Sequence, residues 1–64
     1  DLSPRQLEII SAMTRGLSNA EIAKLIGIDA TTVRNHIVVL FQKLGAANRA
    51  EAITIALRKH LLKD

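Results

Sequence analysis

Apolar residues fall at helical spacing in four stretches, and three of these open on one local signature: a short polar side chain with Gln or Glu three residues later. Ser3-Pro4-Arg5-Gln6 is the first such box, with Pro at the first helical position, where its missing N–H costs nothing. Leu7, Ile10 and Met13, with Ile9 beside them, follow as one stripe, and Gly16 supplies a left-handed stop. A helix is predicted over about residues 4–15. Ser18-Asn19-Ala20-Glu21 opens the second, 19–26, in which Ile22, Ala23, Leu25 and Ile26 run up to Gly27. Asp29 caps a third helix, 30–44, with no Glu partner but with Ile28 before it as a hydrophobic staple; Val33, Ile37, Leu40 and Leu44 recur at intervals of four, three and four until Gly45. Asn48-Arg49-Ala50-Glu51 opens the last, 49–62, whose Ile53, Ala56, Leu57, His60 and Leu61 share the side expected to face inward. No strand pattern, linker or repeat remains, so the predicted class is all-α, with four helices.

Between Gly27 and Asp29 there is room only for a tight turn, so the second and third helices must cross steeply with small side chains at the contact. Ala23 allows the approach, Gly27 can take a positive φ, and Val33 packs beneath both. That spacing suits a DNA-binding helix-turn-helix and also an ordinary helical hairpin. The face opposite Val33, Ile37, Leu40 and Leu44 sharpens the choice. It carries Thr31, Arg34, Asn35, Val38 and Gln42 and no acidic residue. Arg suits guanine, Asn or Gln suits adenine, and an apolar group suits the thymine methyl, which makes Arg34, Asn35, Val38 and Gln42 the candidate base contacts. Ser18, Asn19, Thr31, Thr32 and Lys43 are candidate phosphate contacts; the plainer reading is helix caps for the hydroxyls and a solvated charge for Lys43.

The 64 residues suffice for one small domain, and with no cysteine a packed core must stabilise it. Nine Lys and Arg against six Asp and Glu give a net charge of +3, which permits an anionic partner without demanding one. No apolar run approaches the ~20 residues of a membrane span, and no signal segment opens the chain, so a cytoplasmic setting is expected. The chain starts at Asp1 without an initiator Met, as expected of a domain, 1–64, excised from a longer regulator.

Leu2-Ser3-Pro4-Arg5-Gln6, Gly16-Leu17-Ser18-Asn19-Ala20-Glu21-Ile22-Ala23, Thr32-Val33-Arg34-Asn35-His36, Lys43-Leu44-Gly45 and Arg49-Ala50-Glu51-Ala52 occur in an order and spacing that resembles the LuxR/FixJ-type DNA-binding domain, from about Leu2 to Leu61. The resemblance implies a four-helix fold serving as the output module of a response regulator or ligand-sensing regulator, with the third helix in the major groove. It implies base contacts by Arg34, Asn35 and Val38 and phosphate contacts near Thr32 and Lys43. The family commonly has Lys where Ala20 stands and Glu where Gln6 stands, so weaker non-specific affinity is expected here. Val38 and Val39 stand where many relatives carry polar or basic residues, which leaves open how much of the site is read by hydrogen bonds and how much by methyl contacts.

Helix-turn-helix domains commonly bind as pairs on half-sites about 34 Å apart. On the fourth helix Ala52, Ile55 and Leu62, flanking Lys59, lie away from the expected inward stripe and form the candidate homodimer surface, as the resemblance also implies; scattered surface apolar residues, or contact with a missing N-terminal domain, are the alternatives. His36 and His60 are the sole candidates for acid–base or metal chemistry and lack a carboxylate or Cys at ligand spacing, so no catalytic residue, metal or cofactor is expected. The competing function is a helical protein-interaction module whose Val38, Val39, Ile55 and Leu62 bind another regulator or RNA polymerase. A sigma-factor promoter-reading domain is a further alternative, disfavoured by the segment from Lys43 to Glu51 and by the fourth helix.

Overall fold

The computed structural model describes residues 2–59, which form four helices and, among the described residues, no strand: α1 (Pro4–Thr14), α2 (Asn19–Ile26), α3 (Ala30–Leu44) and α4 (Arg49–Arg58). The predicted class and helix order are observed. The last helix, expected to run to 62, ends at Arg58 with Lys59 as its C-cap; residues 60–62 lie outside the described residues.

Local hydrogen bonding explains where each helix starts. In the first box the Gln6 N–H donates to Ser3 Oγ at 3.1 Å and Ser3 N–H donates to Gln6 Oε1 at 2.8 Å. Ser18 and Glu21 repeat the reciprocal pair at the same two distances. That donation from Ser18, backbone first and hydroxyl second, holds the Glu21 carboxyl below its ordinary value. The third box differs from expectation: Glu51 N–H donates to Asn48 Oδ1 at 2.9 Å, but the Glu51 carboxylate accepts from Ala47 N–H, one residue upstream of the cap. Asp29 departs further, because its carboxylate makes no cap hydrogen bond to the α3 backbone and accepts from the Thr32 hydroxyl instead. That hydroxyl donor is the main reason the Asp29 carboxyl is lowered.

The core joins Ile9, Ile10, Ala12 and Met13 of α1, Ile22 and Ala23 of α2, Val33, Ile37, Leu40 and Leu44 of α3, and Ala52 and Ala56 of α4. Leu7, expected within the α1 stripe, is half-buried. Burying one large apolar side chain contributes about 1.5–3 kcal/mol, so Ile9, Ile10, Met13, Ile22, Val33 and Leu40, all fully enclosed, carry most of the stabilisation.

The register of α4 corrects the expectation. Ala52, assigned above to the dimer surface, is fully buried, and Leu57, assigned to the core, is 55% exposed. Ile53 and Ile55 are both half-buried against the core, one on each side of the alanine seam. The reason is volume: α4 packs on both α1 and α3, and alanines at i and i+4 let its backbone approach them closely. His60, Leu61 and Leu62 lie outside the described residues.

Gly27 ends α2 at φ 75°, in the left-handed region, and both its N–H and that of Ile28 donate to the Ala23 carbonyl, at 2.9 and 3.0 Å. A Cβ at Gly27 would meet nothing within 4 Å, so its cost is conformational alone. Gly27→Ala is therefore expected to lower unfolding stability by roughly 1–2 kcal/mol in urea titration with the fold retained; an unchanged midpoint would contradict this turn geometry.

Candidate nucleic-acid interface

The α2–α3 turn delivers α3 with its packing fixed before its outward face is considered. Val33 is fully buried and Ala23 nearly so, Ile28 is half-buried against the core, and Val33 N–H donates to the Asp29 carbonyl at 3.1 Å. With Val33, Ile37, Leu40 and Leu44 inward, helical geometry of about 100° per residue sends Thr31, Arg34, Asn35, Val38, Val39 and Gln42 outward, and all six are exposed. Arg34, Asn35 and Gln42 make no side-chain hydrogen bond or ion pair among the described residues. Their donors and acceptors are open to an external partner. No Asp or Glu lies within α3 itself; the nearest carboxylate in sequence is the N-cap Asp29.

The residues expected at phosphates divide. Thr31 is exposed on the outward face at the start of α3. Thr32 is half-buried, and its hydroxyl already donates to Asp29, which withdraws it as a donor and places a carboxylate beside it. Ser18 is exposed, its oxygen accepting from Glu21 N–H and its hydroxyl facing the Glu21 carboxylate. Asn19 is half-buried beside Met13, Ile37, Phe41 and Arg49, around a cavity of about 210 Å³. Lys43 is exposed, and its ammonium donates to Gln6 Oε1 at 3.2 Å, tying the end of α3 to the first capping box. His36 is half-buried at the edge of the core side of α3. Among the described residues no three His, Cys, Asp or Glu side chains are grouped to hold a metal ion.

One structural residue escaped the sequence reading. Arg49 Nη2 donates to the Leu17 carbonyl and so pins the start of α4 to the loop that leads into α2. A signal for it existed, because a cation in the first turn of a helix opposes the helix dipole and needs a partner elsewhere.

The family model described as bacterial regulatory proteins, luxR family, matches residues 1–56. The chain belongs to the LuxR family. It is 34% identical over 61 residues to the transcriptional regulatory protein YdfI of Bacillus subtilis, covering 95% of this chain and 29% of that protein. It is 36% identical over 61 residues to the transcriptional activator protein BjaR1 of Bradyrhizobium diazoefficiens, covering 95% and 25%. The chain thus spans less than a third of the length of these LuxR-type relatives. Among solved structures it superposes on the transcription factor GerE with a TM-score of 0.90 at 39% identity, covering 97% of this chain and 92% of that one. It superposes on the response regulator ChrA of a heme-sensing two-component system with a TM-score of 0.94 at 40% identity, covering 97% and 31%. As a LuxR-family member the chain is a helix-turn-helix DNA-binding domain of a transcription regulator, not an enzyme. No described helix is long and apolar enough to cross a membrane.

Proposed function

We propose that the domain binds specific sites on double-stranded DNA by laying α3 in the major groove, as the output module, 1–64, of a longer cytoplasmic regulator whose other domain governs when it binds. The observation that supports this most directly is the outward face of α3: exposed Arg34, Asn35, Val38 and Gln42, polar groups without internal partners, and no carboxylate within the helix. Arg34 reads guanine, Asn35 and Gln42 read adenine, and Val38 makes an apolar contact. Thr31, Ser18, Asn19 and Lys43 hold the flanking phosphates, and Thr32 contributes through its backbone, its hydroxyl being engaged.

Selection of bound sequences from a random duplex pool tests the reading. A defined consensus is expected, with affinity falling as salt rises, since each neutralised phosphate contributes about 0.9 to the logarithmic slope. Arg34→Ala and Asn35→Ala are each expected to relax one position of that consensus at a cost of about 1–3 kcal/mol. No enrichment, or binding that strengthens with salt, would favour a protein-interaction module that docks another regulator or RNA polymerase.

Two copies on adjacent half-sites complete the proposal, joined through α4. Its outward face carries Ala50, Thr54 and the exposed Leu57; Ala52 is excluded by burial, Ile55 is partly covered by the core, and Lys59 lies exposed at the end of the helix. Leu57→Lys is expected to remove most of the cooperativity between paired half-sites while leaving binding to one half-site intact. Equal cooperativity in gel-shift titrations of both proteins would refute an α4 interface.

A further inference from the structure

The exposed face of α3 holds a pair of residues that its helix does not need. Val38 is 51% exposed and Val39 is 42% exposed, although β-branched side chains are weaker helix formers than Ala, Lys or Gln and the core makes no use of either one. Helical geometry sets them about 100° apart, on either side of a line through Asn35 and Gln42, which are seven positions apart and nearly eclipsed. A row of two amides is thus flanked by methyl groups on both sides. An A·T pair offers that arrangement in the major groove: the adenine edge presents an acceptor and a donor to an amide, and the thymine C5 methyl stands beside them. Beyond Arg34, at the N-terminal end, the face has no cation to bridge the two acceptors of guanine and no carboxylate for the cytosine amino group.

We propose that Val38 and Val39 take the C5 methyl groups of two thymines, so that the base pairs beneath the middle of α3 are A·T, with a guanine confined to the Arg34 end. This rests on the placement of α3 in the major groove proposed above. The test replaces each thymine of the selected duplex in turn by deoxyuridine, which removes the methyl group and preserves pairing, and measures affinity by fluorescence anisotropy. Two positions are expected to weaken about fourfold each, the effect of roughly one apolar carbon's burial. Val38→Ala should abolish the sensitivity at one position and Val39→Ala at the other, with far-UV circular dichroism confirming that the exposed substitutions leave the helix intact. Cytosine followed by 5-methylcytosine at a sensitive position isolates the methyl group, and methylation should return about fourfold.

A consensus without thymine there, tolerance of deoxyuridine throughout, or sensitivity unchanged in both variants would overturn the inference while leaving major-groove reading in place. A pool that yields no consensus removes both.

Discussion

Lysine in place of Ala52 is expected to remove roughly 3–5 kcal/mol of the domain's stability and to lower its thermal transition steeply, while lysine in place of Leu57, on the same helix, gives a transition within a few degrees of the wild type. Ala52 has no exposed surface and lies in the seam where α4 meets α1 and α3. A lysine there must either bury its charge unpaired or force the helix away from the core. An uncompensated buried charge costs roughly 3–5 kcal/mol, against a total stability of about 3–10 kcal/mol for a chain of this length. Leu57 is more than half exposed, so it gives up little packing, and a cation in the last turn suits the helix dipole. Far-UV circular dichroism melts of the two variants decide the register of α4. Similar melting would mean that the alanine seam is not the buried face, and a collapse confined to Leu57→Lys would restore the register read from the apolar pattern.

That register shows where the pattern along the chain stops being informative. Ile53, Ala56 and Leu57 make as good a helical stripe as Ala52, Ile53, Ile55 and Ala56, since hydrophobic periodicity does not separate two faces that are both apolar. Volume separates them, and the volume available depends on α1 and α3. The helix starts were legible because a cap is decided within four residues, and the Ser3 and Ser18 boxes form as their spacing requires. Asp29 shows the limit even there. Its carboxylate had a choice between backbone N–H groups and the Thr32 hydroxyl, and the hydroxyl is its hydrogen-bond partner. The two ties that hold the site's surroundings, Arg49 to Leu17 and Lys43 to Gln6, join residues 32 and 37 positions apart, beyond the reach of any local signature. The outward face of α3 was legible for the opposite reason. It is what remains of α3 once a strict four-three-four core stripe is removed, and its residues are exposed.

Replacing Arg34, Asn35 and Gln42 together by alanine is expected to collapse the preference for the selected duplex over a scrambled one, from a ratio of about a thousandfold or more to within a few-fold. The three side chains hold the polar donors and acceptors of the face that lie beyond its threonines, and since none has a partner among the described residues, their removal leaves no buried group there unsatisfied. Alanine also favours the helix, so the melting temperature should hold or rise. Residual affinity should persist, because the phosphate contacts proposed at Ser18, Asn19, Thr31 and Lys43 are left in place, and its salt dependence should stay close to that of the wild type, shallower by at most the single charge lost at Arg34. Loss of preference with retained salt-dependent binding separates reading from anchoring, which no single substitution does. If the folded triple variant still selects the same duplex, recognition belongs to another part of the molecule.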